Sequence, residues 1–174
     1  MKYISSKKWT AFDIASMGLM LAIVEVCKHA LDFLPNIELV SFLFILFTLH
    51  FGGWIVLLTW MFSLVECFYF GFGPWTIAYF YVWPILVIAV LLLKRFLGES
   101  AWMYAILSGF FGLCFGFLCS FYTLVIGGVA MQITWWISGI PYDLVHCVGN
   151  FFICLFLFHP ANTAMKRILK TLQR

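Results

Sequence analysis

The sequence predicts an all-α integral membrane protein, with six transmembrane helices in a single domain and both termini cytoplasmic. Three observations predict it. Of 174 residues, 65% are hydrophobic and 10% are charged, where an average soluble domain has about 25% charged. A soluble chain of this length cannot hide so much apolar surface, and a disordered one would be polar and poor in aromatics. Second, no Asp, Glu, Lys or Arg occurs in Leu39–Val65, Cys67–Leu93 or Ser100–Tyr142, stretches of 27, 27 and 43 residues. About 20 apolar residues suffice to cross a bilayer. Third, the basic residues gather on one side of the helices that these stretches define.

The first span is placed near Thr10–Leu31. Lys2, Lys7 and Lys8 ahead of an apolar run give it the outline of a signal peptide. Asp13 and Glu25 bound that run, and no A-x-A-like cleavage site follows, so it is expected to be a retained helix. Leu34-Pro35-Asn36 breaks the chain before a short second span, Ile37–His50, which starts earlier or tilts. Phe51-Gly52-Gly53 leads into the third, Trp54–Phe70, and Gly71-Phe72-Gly73-Pro74 into the fourth, Trp75–Leu93. Pro84 removes a backbone donor from the fourth and is expected to kink it. The fifth, Trp102–Ile126, follows Gly98-Glu99-Ser100; its length predicts a tilt, or a bend at Gly109, Gly112 or Gly116. Gly127-Gly128 ends it, and the sixth runs Ile140–Phe158. In the tail Ala161–Arg174, Ala164, Ile168 and Leu172 recur at helical spacing among basic residues. That pattern fits a helix on the anionic inner leaflet, or a frayed, solvated end. No internal repeat is present.

Even numbers of crossings separate the three basic groups: Lys2, Lys7 and Lys8; Lys94 and Arg95; Lys166, Arg167, Lys170 and Arg174. Nine of the ten basic residues therefore share one side, which the positive-inside rule makes cytoplasmic; only Lys28 falls on the other. Five or seven spans would destroy this agreement.

That topology assigns each polar residue a side. Glu25, Asp32, Glu38, Glu66 and Asp143 fall in the outer half or the outer loops. Ionisable groups within a membrane are costly and usually face a bundle interior or a wet cavity. On the first helix Glu25 reaches Lys28 and His29, and Lys28 reaches Asp32. On the sixth, Asp143, His146 and Asn150 stand at i, i+3 and i+7, one stripe. Trp75, Tyr79, Trp83, Trp135, Trp136 and Tyr142 lie at the same level. Such aromatics form interfacial belts in many membrane proteins. Beside a polar cluster they also suit a pocket for a small, flat solute, stacking on its rings while a few polar groups fix its orientation. Excess carboxylates favour a neutral or cationic solute. In the inner half of the first helix, Ala11, Ala15, Gly18 and Ala22 form a stripe of small residues. Such stripes let helices approach closely, within the bundle or against a partner.

Several functions are excluded or left without support. The net charge of +3 comes with no basic stripe that could follow a phosphate backbone, so no nucleic-acid partner is expected. The six cysteines form no C-x-x-C pair and read as small buried hydrophobes, not metal ligands. No G-x-x-x-x-G-K-[ST], H-E-x-x-H or G-x-S-x-G occurs, so no cofactor or metal is expected, and any uphill transport draws on a partner or an ion gradient.

These features together resemble the substrate-binding (S) component of energy-coupling factor (ECF) vitamin importers, six-helix proteins of about this size. Two segments carry the likeness: the A-x-x-x-A of Ala11 and Ala15, and the last helix, Gly139-Ile140-Pro141-Tyr142-Asp143-Leu144-Val145-His146 through Asn150, ending at His159-Pro160 before a basic tail. The resemblance implies a multi-pass protein of a bacterial plasma membrane. Such a protein captures a vitamin or precursor outside and docks by its first helix on a transmembrane scaffold subunit. Two cytoplasmic ATPase subunits then drive it to topple and release its cargo inside. The resemblance implies no enzymatic activity. Ala11, Ala15, Gly18 and Ala22 are the expected docking face, and Glu66, Trp135, Tyr142, Asp143, His146 and Asn150 the expected pocket.

Two other readings belong to different classes. Asp143 and His146 at i, i+3 suit an acid–base pair of a membrane enzyme. His29 or His50 with His146 would suit the axial ligands of a membrane cytochrome, if the two lay at similar depth. The predicted topology separates His50 from His146.

Overall fold

The structure, a computed structural model, describes residues 9–172. Lys2, Lys7, Lys8 and Arg174, four of the nine basic residues that set the predicted orientation, lie outside the described residues. Helix α1 spans Ala11–His29, α2 Val40–Phe51, α3 Ile55–Phe70 and α4 Pro74–Leu97. Gly128 (φ 74°, ψ −173°) interrupts the helical run Ala101–Leu172 and divides it into α5 (101–127) and α6 (129–172). Among the described residues there is no strand. Three apolar stretches are long enough to cross a membrane: Val40–Phe70, Pro74–Leu97 and Ala101–Leu172.

Two of those stretches fold back on themselves. Gly52, at φ 70°, ends α2, and a single 3-10 turn, Gly52–Trp54, leads into α3. The Phe44 and Phe62 rings then meet edge to face at 5.6 Å. Eighteen residues of straight helix would hold them about 27 Å apart. In the same way Gly128 returns α6 along α5, where the Gly116 N–H donates to Asp143 Oδ1 at 2.9 Å.

The helix ends sort into two groups. Trp9 packs on Trp54 at 4.5 Å, His50 Nε2 bonds Asn162 Oδ1 at 2.8 Å, and Lys166 pairs with Glu99. The start of α1, the α2–α3 turn, the α4–α5 turn and the end of α6 thus share one end of the bundle. At the other end Lys28 meets Glu66 at 2.8 Å and His146 meets Glu38 at 3.0 Å.

Local chemistry accounts for the elements. Thr10 and Asp13 form a capping box on α1: the Asp13 N–H donates to Thr10 Oγ1 and the Thr10 N–H to Asp13 Oδ2. Met17, Met20 and Val24 bury one face of α1. Every residue from Val40 to Thr48 is buried, so α2 is the core helix, hydrophobic all round. Glu38 caps it, accepting the Ser41 N–H at 2.9 Å. Pro84 does not end α4. It deprives the Phe80 carbonyl of its helical donor, and the Trp60 Nε1–H supplies one at 3.1 Å.

The structure corrects several expectations. The second helix starts at Val40, not Ile37. The fifth keeps helical φ/ψ through Gly109, Gly112 and Gly116. Those glycines are where α6 approaches most closely: a Cβ at Gly112 would sit 2.8 Å from the His146 carbonyl oxygen, and one at Gly109 3.1 Å from Phe151 Cβ. The sixth helix extends past both predicted ends. At about 66 Å it is twice the thickness of a hydrocarbon core. The tail is neither a separate surface helix nor frayed. It continues α6 to Leu172, held by Asn162 on His50 and Lys166 on Glu99.

Candidate functional site

Two adjoining cavities open at the His146 end of the bundle. The smaller, about 210 Å³, lies between the end of α1, the 30–39 connection, α4, α5 and α6. Its aromatic walls are Tyr79, Trp83 and Phe115, and its polar groups are Lys28, Asp32, Asn36, Glu38 and His146. The larger, about 800 Å³ and more open, is lined by Trp135, Tyr142, Asp143 and Gly116, with the start of α6 as one wall. Asn36 and Phe115 line both. Asn36 sits at φ 60°, a left-handed turn that brings the connection back over the cavity.

The smaller cavity combines rings with directed polar groups. Trp83 meets Tyr79 at 5.7 Å and Phe115 at 5.4 Å, and Phe115 packs edge to face on His146 at 4.9 Å. Trp83 is buried, and its Nε1–H has no hydrogen-bond partner among the described residues. A donor left unpaired in a buried site is costly, so it marks where an acceptor on a bound molecule would sit. Glu38 lies outside the apolar span. Burial alone would raise its pKa, but hydrogen bonds from His146 and Ser41 outweigh burial and hold the carboxyl below its ordinary 4.5. Asp32 is likewise held low, chiefly by its bond to His29.

The predicted pocket residues divide. His146 lines the smaller cavity; Trp135, Tyr142 and Asp143 line the larger. Asp143 Oδ1 accepts from Gly116 while its buried Oδ2 has no partner among the described residues. Asn150 lines neither cavity: it is buried below them, its Nδ2 donating to Ser41 Oγ at 3.2 Å. Glu66 also lines neither. It is 1% exposed on α3 and binds Lys28. Sequence reasoning left Glu38, Asn36 and Phe115 out of the pocket. The signal for Glu38 was there, an acid just ahead of an apolar run; the α2–α6 packing that brings it to His146 was not.

The alternative readings meet the same geometry. His146 engages Glu38, and Asp143 engages the Gly116 backbone. His50 bonds Asn162 at the far end of α2 from Glu38, about 18 Å by helix rise, which keeps it from sharing a ligand with His146. On α1, Ala11, Ala15, Gly18 and Ala22 are all exposed, on the far side of the helix from Met17, Met20 and Val24. Nothing lies within 4 Å of a Cβ built at Gly18. The stripe is not used for packing among the described residues. The six cysteines are free, with Cys67, Cys119 and Cys154 buried.

No family model, curated protein or solved structure matches the chain. The chemistry of the site itself carries the functional reading.

Proposed function

We propose that the chain is the substrate-capturing subunit of an importer of the ECF type. It would cross a bacterial plasma membrane six times with both termini inside, and bind a small, flat, neutral or cationic vitamin or vitamin precursor from outside. The observation that carries this reading is the smaller cavity, where three aromatic walls surround the Glu38–His146 pair and a Trp83 N–H that is unpaired among the described residues. A heterocycle stacks among Tyr79, Trp83 and Phe115. Trp83 donates to a ring acceptor, and Asp32 and Glu38 accept from ring or amino donors. The larger cavity takes a substituent past Asn36 and Phe115.

With no phosphate-binding loop in the sequence, uphill delivery draws on a partner or an ion gradient. The exposed Ala11–Ala15–Gly18–Ala22 face of α1 supports docking on a transmembrane scaffold subunit worked by two cytoplasmic ATPases, since small residues permit close helix contact in lipid.

The test is a thermal-shift screen of the detergent-purified chain against a panel of vitamins and their heterocyclic precursors. One compound is expected to raise the unfolding temperature by mass action, and to lose affinity about tenfold in Trp83→Phe, which keeps a ring and removes the N–H. A panel with no stabilising member contradicts the reading.

A further inference from the structure

The end of α1 and the end of α3 hold a second cluster, separate from the cavity walls. Glu25, His29 and Glu66 each present a ligand atom within 4.8 Å of the other two. Glu66 is 1% exposed, and its Oε1 has no hydrogen-bond partner; both oxygens of Glu25 are buried and equally unpartnered among the described residues. His29 Nδ1 meets Asp32 Oδ2 at 2.8 Å, and its Nε2 faces Glu25 Oε2 at 3.8 Å and Glu66 Oε1 at 3.9 Å.

With the carboxylates ionised and His29 neutral, the three ligand atoms bring no donor of their own. In the neutral tautomer that donates Nδ1–H to Asp32, Nε2 carries a lone pair. Three acceptors then converge with no donor between them. Lys28 relieves only the other oxygen of Glu66, Oε2, at 2.8 Å. With all three carboxylates ionised and His29 neutral, one ammonium leaves two negative charges in the cluster. A divalent cation at the centre would neutralise both.

We propose that Glu25, His29 and Glu66 form a binding site for a divalent transition-metal ion, of which zinc is the type. The imidazole favours zinc and its first-row neighbours over calcium or magnesium, which prefer all-oxygen shells. Zinc bonds of about 2.0–2.2 Å require the three ligand atoms to close in by about half an ångström, within reach of side-chain rotation. Asp32 completes the arrangement seen at many histidine-ligated metals: a carboxylate on the far ring nitrogen fixes the tautomer and raises the basicity of the ligating one. His29 is part exposed, so an ion has a way in, and a water completes the shell. The site would tie α1 to α3 beside the smaller cavity, which Lys28 and Asp32 line.

The test uses the full chain in detergent, stripped with EDTA and returned to metal-free buffer. Zinc is titrated by calorimetry, and cobalt(II) by its visible absorption. One ion per chain is expected. Glu25→Gln, nearly isosteric, and His29→Gln should each weaken binding at least tenfold with helicity unchanged by circular dichroism, and Asp32→Asn about tenfold. A folded wild-type chain that takes up neither ion at large molar excess overturns the proposal. So does binding that survives intact in both ligand variants.

Discussion

Asp143 occupies the space that a side chain at position 116 would need. A Cβ built on Gly116 lies 2.6 Å from Asp143 Oδ1, the same oxygen that accepts the Gly116 N–H at 2.9 Å. The absence of a side chain on α5 is thus what allows the α6 carboxylate to sit against the helix backbone at the rim of the larger cavity. Gly116→Ala is expected to push that carboxylate out, costing about 1–3 kcal/mol in detergent unfolding. Asp143→Ala should weaken ligand binding while leaving the helices intact, since Gly116 can still make its helical bond. Unchanged affinity in Asp143→Ala removes Asp143 from the site.

The Glu38 carboxyl predicts a pH dependence with a definite sign. Its pKa is held below the ordinary 4.5 in the folded chain. A depressed carboxyl contributes stability above its unfolded pKa and loses it as pH falls through the folded one. The unfolding temperature should therefore be flat from about pH 7 to 5 as far as this group is concerned, and drop below about 4.5. Glu38→Gln should remove that acid limb. An identical limb in the variant assigns the loss to another group.

Trp60 and Pro84 predict a coupled pair. Trp60→Phe leaves the Phe80 carbonyl without its substitute donor, at a cost of about 1 kcal/mol. Pro84→Ala restores a helical N–H to that carbonyl. In the Pro84→Ala background Trp60→Phe should cost little, and a double-mutant cycle measures the difference. Additive losses would show that the indole bond does not stand in for the missing one.

Bulk on the exposed face of α1 separates capture from delivery. Leucine at Ala11 or Ala15 faces outward and should leave stability and ligand binding unchanged. Uptake by cells that supply the scaffold and ATPases should fall to background. Normal uptake would show that this face docks nothing.

Much of the helical pattern was legible because charge-free runs and glycine breaks are local signals. Gly52, Gly71, Gly98 and Gly128 all adopt positive φ at or beside the predicted breaks. The continuation of α6 was not legible: the predicted span ended at Phe158, ahead of His159-Pro160, and only tertiary partners such as His50 and Glu99 show why the helix runs on. The site was half legible. The Asp143–His146 stripe follows from helical spacing, whereas Glu38 reaches His146 across 108 residues of sequence, a relation no periodicity encodes. Glu66 and Asn150, expected in the pocket, are buried polar groups bound to Lys28 and Ser41 and line neither cavity.

The aromatic cavity beside Glu38 and His146 is proposed to hold a flat heterocycle. The most direct measurement is mass spectrometry of small molecules released from the chain after purification in mild detergent from cells grown in rich medium. One heterocyclic compound near one-to-one stoichiometry is expected in the wild type, and its loss from a folded Glu38→Ala variant. Wild-type protein that carries no such compound, and whose tryptophan fluorescence responds to no vitamin or precursor added afterwards, contradicts it.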